Sequence, residues 1–202
     1  MGASSEVVYS EKPAWISFDD IHNLLWKANG ENRGKGFILS TSHLSGEQLQ
    51  ERLGEDGKCF VAVASEDLIG TASVRFLNRN TWFAKGRVAD YMLIAVDPDY
   101  QGKHVLSALF SKVDSYVSEQ GCNVIELDTA ENNIRAINIY KHFGYKMVSY
   151  KANPGGDHYS VIMAKWVDNC PYSDFYCNLR FIMKKFYIRA RFKPDRKKRF
   201  FL

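Results

Sequence analysis

The chain of 202 residues contains 46% hydrophobic and 25% charged residues, which is typical of globular proteins and excludes a disordered, collagen-like or low-complexity chain. The formal net charge of +4 is unevenly distributed, because residues 171–202 hold ten Lys and Arg against two acidic residues. The rest of the chain therefore carries −4. Length and charge together indicate a mildly acidic body of one or two small domains with a strongly basic end.

The start of the sequence and its cysteines indicate a cytoplasmic protein. The first ten residues contain no apolar segment, so we expect no secretory signal. No stretch approaches the roughly 18 apolar residues of a membrane span. The four cysteines are not paired as CxxC and the five histidines are dispersed, so we expect reduced thiols, no disulfide framework and no metal site.

The first half of the sequence predicts two helices and three strands. Residues 1–12 are interpreted as a flexible leader. A helix follows Ser17 and ends at residues 29–30, and a capping box at residues 45–48 begins a second helix. A turn-rich break is predicted at residues 79–80. The predicted strands cover residues 59–64, 68–76 and 87–96.

The second half of the sequence predicts alternating helices and strands. The predicted helices cover residues 105–117 and 133–143, and the predicted strands cover residues 122–127, 145–151 and 159–167. A strand–helix–strand–helix core inside antiparallel hairpins predicts a mixed α/β sheet flanked by helices.

Two segments carry the chemical signal. The first covers residues 94–110 and reads as a strand, an Asp-Pro-containing loop and a helix. The second covers residues 133–145 and has the pattern Asn-x-x-Ala-x-x-x-Tyr-x-x-x-Gly-aromatic, formed by Asn133, Ala136, Tyr140, Gly144 and Tyr145. Together they resemble the GNAT superfamily of acetyl-CoA-dependent N-acetyltransferases.

The resemblance covers about residues 13–167 and implies a domain with the GNAT acyltransferase fold. In that fold a mixed, mostly antiparallel sheet is flanked by helices. Residues 168–202 would then form a basic, aromatic C-terminal extension, for which we predict a helix.

The first segment suits an anion, because a turn leading into a helix leaves backbone N–H groups without intrahelical partners at the positive end of the helix dipole. The GNAT pattern for this pyrophosphate loop is Gln/Arg-x-x-Gly-x-Gly/Ala, and Gln101 matches it whereas His104 and Leu106 depart from it. His and Leu retain the main-chain N–H donors. The alternative is a strand-to-helix turn that binds nothing.

The resemblance also implies that the strand before this loop splays from its neighbour and pairs through its backbone with the pantetheine arm of acetyl-CoA. The expected acetyl-CoA-binding residues are Ile94, Ala95, Val96, Gln101, Gly102, Lys103, His104, Val105, Leu106 and Asn133.

Tyr140 is the expected general acid, because the resemblance implies that this tyrosine protonates the departing thiolate of coenzyme A. A phenol with an ordinary pKa near 10 has only a slight driving force for this transfer. The alternative is a core tyrosine on an apolar helix face. Asn133 either contacts the pantetheine or only caps the helix.

Asp128 is the expected general base. It lies twelve residues before Tyr140, where the ribosomal-protein branch of the family places a catalytic glutamate, and its shorter side chain would act through water. Glu126, on the same strand face, and Asp90 are alternatives, and each carboxylate can instead be paired or solvated. No Ser-His-Asp or Cys-His arrangement occurs in the sequence, so we expect direct transfer.

The expected function is therefore transfer of acetyl from acetyl-CoA to a primary amine. The acceptor pocket is expected from residues 19–53 and 145–167, and the acidic body favours a cationic acceptor such as a polyamine, an amino sugar or a protein amine. Candidate acceptor-site residues are His43, Tyr150, Asp157, His158 and Tyr159. The alternative is a non-catalytic acyl-CoA-binding or membrane-recruited regulatory module.

The basic extension has the pattern of an amphipathic helix. Its apolar face comprises Phe175, Leu179, Ile182, Met183, Phe186 and Ala190, and Arg180, Lys184 and Arg191 lie opposite. Three roles are open for such a helix. It docks on the acidic body, it mediates self-association, or it lies on the inner, anionic surface of a membrane together with the basic cluster at residues 196–199. Nucleic-acid binding is the least favoured partner class, because no nucleic-acid motif accompanies the basic residues.

Overall fold

The computed structural model describes residues 6–30, 34, 44–152 and 158–192. The predictions for residues 31–33 and 35–43, including His43, lie outside the described residues. So do those for residues 153–157, including Asp157, and for the basic cluster within residues 193–202.

Strands and helices alternate along the described chain much as the sequence predicts. The strands are β1 (Val7–Glu11), β2 (Lys58–Ala64), β3 (Asp67–Asn80), β4 (Lys85–Val96), β5 (Val124–Ala130), β6 (Lys146–Ala152) and β7 (Tyr159–Trp166). The helices are α1 (Phe18–Ala28), α2 (Gly46–Leu53), α3 (Val105–Glu119), α4 (Ile134–His142) and α5 (Asp174–Arg191), and a short 3-10 turn covers Pro98–Tyr100.

The strands form one seven-stranded sheet in the order β1-β2-β3-β4-β5-β7-β6. The pairs β1–β2, β2–β3, β5–β7 and β6–β7 are antiparallel. This α/β architecture, a sheet flanked by helices, is the predicted fold class. By internal contacts the chain divides into two units, residues 1–77 with 89–122 and residues 78–88 with 123–202.

The first unit has helices on both faces of its strands. Because side chains alternate along β2, Cys59 and Val61 pack with the buried side chains of α1 and α2, whereas Phe60 turns toward Tyr116 of α3, with ring centroids 5.8 Å apart. Capping boxes at Ser17 and Ser45 begin α1 and α2, which confirms both predicted helix starts.

The second unit has its own apolar core around β5, β6 and β7. This core comprises Phe83, Ala84, Val88, Val124, Val148 and Ala164, with Trp82, Ile162 and Trp166 packed against it. Helix α5 packs against β6 in this unit. The basic extension therefore contacts β6 through α5.

Two predictions about local structure are wrong, one for the leader and one for a turn. Val7–Glu11 is not part of a flexible leader but pairs along its whole length with β2, for example through Val8 and Val63. The break predicted at residues 79–80 is strand, and the turn comes later, where Thr81 and Ala84 are linked by a backbone hydrogen bond of 2.8 Å. Pairing with a neighbouring strand extends both segments beyond what their local residue types indicate.

Helix α5 does not dock through the apolar face that its sequence pattern defines. Cys177, Phe181 and Ile188 are buried, whereas the apolar face predicted from the sequence is exposed. Phe181 packs edge-on against Tyr150 of β6, with ring centroids 6.0 Å apart. In the described part of the chain, no helix has the length and apolar character that crossing a membrane would require.

Candidate active site

The end of β4 has an irregular backbone. Leu93 is buried but adopts a left-handed φ of 51°, which costs a residue other than glycine about 1–2 kcal/mol. Ile94, Ala95 and Val96 directly follow this irregularity at the end of the strand. These are the three residues expected to pair with pantetheine.

Hydrogen bonds hold the loop that follows β4. The Asp97 N–H donates to the carbonyl of Ile69 (2.8 Å), and the buried Asp97 carboxylate accepts from Nζ of Lys27 (2.7 Å). This bond raises the pKa of Lys27. Nε2 of Gln101 donates to the carbonyl of Val96 (3.1 Å). Gln101 therefore stabilises the loop internally, and its contact with acetyl-CoA stays a prediction.

Helix α3 begins without a side-chain cap. Its N-cap residue, His104, makes no capping hydrogen bond. Among the helices that the structure describes, each of the others is capped by a serine or asparagine side chain, namely Ser17, Ser45, Asn133 and Ser173. The first-turn N–H groups of α3 therefore receive no acceptor from the cap residue, which suits an external anion.

His104 takes the backbone conformation that glycine favours at this place. Its φ is 62° and ψ is 8°, and Gly102 has a φ of 77°. The histidine thus retains a glycine-like loop at the cost of local strain. The exposed Lys103 lies between them, with Nζ over the ring of Tyr100. Main-chain donors, a helix dipole and an adjacent ammonium group fit a pyrophosphate.

Close packing holds the start of α3 against β3. A Cβ atom added to Gly70 would lie 2.9 Å from Cγ1 of Val105 and 3.0 Å from Cδ1 of Leu109. Val105 is the first residue of α3 and is buried, whereas Leu106 is half-buried. The absent side chain at Gly70 thus allows the first turn of α3 to approach the sheet.

In the second unit, Asn133 caps α4. Its Oδ1 accepts a hydrogen bond from the Ala136 N–H (3.2 Å), which confirms the capping role. The predicted pantetheine contact of Asn133 is a separate interaction and stays a prediction. Ile137 is buried and fixes the rotation of α4, so Tyr140, two turns after Asn133, has a defined position.

Tyr140 is half-buried and packs edge-on against Tyr145, with ring centroids 6.0 Å apart. Burial raises the pKa of Tyr140, and the negative charge of Asp128 raises it further. The phenol therefore stays protonated at neutral pH, as a hydrogen-bond donor requires. Asp128 and Tyr140, predicted separately as base and acid, interact electrostatically in the structure.

Asp128 and Glu126 have different surroundings although they share a face of β5. The Asp128 side chain is about one-third exposed, and Oδ2 lies 3.1 Å from Nζ of Lys151 on β6. Glu126 is buried and accepts a hydrogen bond of 2.8 Å from Nε of Arg79. Because proton transfer needs access to the acceptor amine or water, Asp128 is the better candidate base.

The third candidate base, Asp90, lies in the first unit. Its carboxylate accepts from Nε of Arg75 (2.9 Å), and Nη1 of the same guanidinium donates to the carbonyl of Arg52 (2.9 Å). This arrangement joins β3, β4 and α2. It indicates a structural role for Asp90.

Two of the candidate acceptor residues in the second unit, Tyr150 and Tyr159, contact α5. Tyr150 and Tyr159 stack with centroids 5.2 Å apart, and the Tyr150 hydroxyl donates to Oε2 of Glu131 (2.6 Å). The Tyr159 hydroxyl donates to the carbonyl of Phe192 (2.6 Å). These two tyrosines hold the C-terminal helix. His158 directly precedes β7 and is half-buried.

Three site residues were missed by the sequence analysis. Leu93 has no local signal, because leucine rarely adopts a positive φ. Lys27 and Lys151 pair with Asp97 and Asp128, and neither pair follows from sequence spacing. In the described residues no group of three His, Cys, Asp or Glu side chains is suited to a metal.

Solved structures of acetyltransferases share the fold. The ribosomal-protein-alanine N-acetyltransferase of Escherichia coli superposes with a TM-score of 0.61 at 18% identity, covering 81% of this chain and 96% of that one. An aminoglycoside 6'-N-acetyltransferase complexed with coenzyme A superposes with a TM-score of 0.59 at 16% identity, covering 82% and 99%.

Curated relatives match over shorter segments. An uncharacterized N-acetyltransferase of Methanocaldococcus jannaschii is 36% identical over 62 residues, which is 31% of this chain and 27% of that protein. Human N-acetyltransferase 8B is 27% identical over 95 residues, 46% of this chain and 41% of that protein. The chain thus spans less than half the length of these curated relatives.

The model of the acetyltransferase (GNAT) family matches residues 18–145, well over half of the chain. The match includes both motif segments and the elements that position them. The chain belongs to the GNAT acetyltransferase family.

Proposed function

We propose that the protein transfers acetyl from acetyl-CoA to a primary amine by direct attack. The observation that carries this proposal is the pair in the second unit, the half-buried Tyr140 and the Asp128 carboxylate, which is about one-third exposed and whose charge reaches the phenol. These are an acid and a base of the kind that aminolysis of a thioester needs. Membership of the GNAT family supports acetyl-CoA as the donor.

The donor would be held through its phosphates at the start of α3. The N–H groups of the first turn, the glycine-like loop at Gly102 and His104, and the ammonium group of Lys103 supply the donors. Bound acetyl-CoA supplies a thioester carbonyl that an amine can attack. The backbone of residues 94–96, which follows the irregular Leu93, would bind the pantetheine arm.

Asp128 would receive the proton that the amine loses. The incoming ammonium group must be deprotonated before its nitrogen can attack the carbonyl carbon, and Asp128 takes this proton directly or through water. Lys151 must move from the carboxylate or share it with the acceptor. A cationic acceptor suits this position, since it meets the same carboxylate that Lys151 now pairs with.

Tyr140 would stabilise the sulfur as the carbon–sulfur bond breaks. Its raised pKa makes complete proton transfer to a thiolate unfavourable, so the phenol acts mainly as a hydrogen-bond donor. The second proton, which the nitrogen loses as the amide forms, passes through solvent to the thiolate.

The proposal is tested by calorimetry with acetyl-CoA and by thiol release with a panel of polyamines, amino sugars and peptides with free amines. We expect saturable binding and amine-dependent release of one thiol per acetylated amine. Binding without release for every amine would favour the acyl-CoA-binding module. Absence of binding would contradict both functions.

A further inference from the structure

One side of helix α5 is buried against the second unit. Cys177, Phe181 and Ile188 form that side and are buried. The opposite side carries Phe175, Leu179, Ile182, Met183 and Phe186, with Phe175 and Phe186 exposed to 76% and 73%. The spacing of three and four residues places these side chains in one stripe along a helix about 27 Å long.

The apolar stripe is unusual for a helix that is already docked. Contiguous exposed apolar side chains commonly mark a surface for a partner or a membrane. Tyr176 and Tyr187 border the stripe and are partly exposed. Tyrosines with an apolar ring and a polar hydroxyl are typical of the boundary between water and lipid.

Basic side chains line both edges of the stripe. On one edge, Lys185 and Arg189 lie 3.6 and 2.7 Å from Oε2 of Glu131. These pairs and the hydrogen bond from Arg189 to the Tyr150 hydroxyl anchor that edge to the protein. The hydrogen bond to Tyr150, followed by the interaction with Glu131, raises the pKa of Arg189.

Beyond Tyr176 and Tyr187, the second basic edge is formed by Arg180 and Arg191, while Lys184, seven residues after Cys177, lies nearer the docked side. Arg180 lies over the ring of Trp82, at 5.4 Å from its centroid, while Lys184 and Arg191 lie over Tyr187. Arg180 and Lys184 also line a groove of about 410 Å³ together with Trp82 and Tyr187. This edge therefore presents positive charge beside aromatic rings and an open groove.

Acidic groups are scarce on this helix. Asp174, at its start, is the acidic residue of α5, and it pairs with Nζ of Lys146 (2.7 Å). Sequence residues 193–199 add five basic side chains against one acidic side chain. A surface with an apolar stripe between two basic edges is complementary to lipid acyl chains flanked by anionic headgroups.

We propose that α5 lies on an anionic lipid bilayer, with its apolar stripe at the acyl boundary and the basic edge formed by Arg180 and Arg191 against the headgroup phosphates. Charge favours this occupant over a second copy of the chain, because pairing two such stripes brings their basic edges close together. The side that faces the protein uses different residues, so α5 can keep its contacts with β6 while it binds lipid.

The test is flotation of the full chain with vesicles of phosphatidylcholine alone or with about 30 mol% phosphatidylserine. We expect at least about tenfold stronger partitioning to the anionic vesicles, weakened by added salt. The double variant Leu179→Ser/Phe186→Ser should partition to anionic vesicles at least about tenfold more weakly than the parent, because two exposed apolar side chains are removed. Circular dichroism melting checks that this variant folds.

Two matched controls separate the stripe and its edges from general surface effects. Trp15→Ser removes an exposed aromatic side chain of similar exposure outside α5 and should leave partitioning unchanged. Arg180→Gln should weaken partitioning about fivefold, whereas Lys112→Gln on the exposed surface of α3 should not.

Three outcomes would overturn the proposal. The first is equal partitioning of the parent to both vesicle types. The second is a loss of partitioning in Trp15→Ser as large as that in the double variant. The third is a parent protein that binds no vesicles but forms a dimer, which Leu179→Ser/Phe186→Ser converts to a monomer. Thiol release from acetyl-CoA measured without vesicles should be the same in the variant and the parent. This readout keeps the membrane proposal independent of the proposed activity.

Discussion

Oδ2 of Asp128 lies 3.1 Å from Nζ of Lys151. The same carboxylate is close enough to Tyr140 to raise the pKa of its phenol. Asp128 therefore connects an ammonium group, which resembles the charge of an amine acceptor, with the candidate acid. The predictions for the second unit follow from this arrangement.

Asp128→Asn should lower the rate of amine acetylation about 10²-fold at neutral pH, because an amide cannot accept the proton of the attacking amine. It should also lower the pKa of Tyr140, since a negative charge is removed. Thiol-release kinetics measure the first effect and phenolate absorbance during alkaline titration measures the second. The control variant Lys151→Met removes the ammonium group but keeps the Asp128 carboxylate, so it should retain most of the activity. An unchanged rate in Asp128→Asn would show that another group is the general base.

Tyr140→Phe should lower kcat about 10²–10³-fold, because the hydrogen bond to the departing sulfur is lost. Binding of acetyl-CoA, measured by calorimetry, should change by less than about twofold, because ring packing is retained. Tyr145→Phe is the matched control, since it alters the other member of the same aromatic pair. Equal losses in both variants would contradict a specific role for Tyr140.

The free energy of unfolding should fall as pH rises above about 10, the ordinary pKa of tyrosine. Burial raises the pKa of Tyr140 in the folded state, so above this pH the unfolded chain ionises first and is favoured. Urea unfolding between neutral and alkaline pH should show a shallower decline in Tyr140→Phe. Parallel curves for the two proteins would mean that the phenol is not desolvated.

His104→Gly should raise the free energy of unfolding by up to about 1 kcal/mol, because glycine removes the strain of a left-handed residue. Acetyl-CoA affinity should be kept or improved, since the main-chain donors are retained. The neighbouring Lys103→Gly is the control. Lys103 lies outside the left-handed region, so glycine there should lower stability. A lower stability in His104→Gly would show that the histidine side chain stabilises the loop.

Gly70→Ala should lower the free energy of unfolding by about 1–3 kcal/mol, because the added methyl group collides with Val105 and Leu109. Displacement of the first turn of α3 should also weaken acetyl-CoA binding several-fold. Urea unfolding and calorimetry measure these effects. In a double-mutant cycle, Val105→Ala should partly relieve the loss. Strict additivity would show that the two side chains do not collide.

Local sequence patterns predict much of the fold, because helix caps and strand-ending residues act on neighbours only a few positions away in the chain. Ser17 and Ser45 each precede a side chain that completes a capping box, and Asp97 followed by proline ends a buried strand. The strand β1 lacks such a signal. Its five residues are held by hydrogen bonds to β2, which is distant in sequence, so only the paired structure defines it.

The orientation of α5 illustrates a different limit. The sequence separates Phe175, Leu179 and Phe186 from the side that carries Phe181 and Ile188, but both sides contain large apolar residues. Contacts of Phe181 with Tyr150 and of Arg189 with Glu131 select the inner side. An amphipathic pattern defines the faces of a helix, whereas the complementary surface decides which face is buried.

The sequence by itself determined the uneven charge and the GNAT motifs, because these depend on residue type and short spacing. It also predicted Tyr140, Asp128 and the loop before α3 as site residues. Only the tertiary structure decided that Lys151 pairs with Asp128, that Arg79 engages Glu126, and that the apolar stripe of α5 faces outward. Each of these depends on distances between segments far apart in the chain. Such distances are fixed by the packing of strands and helix within the second unit.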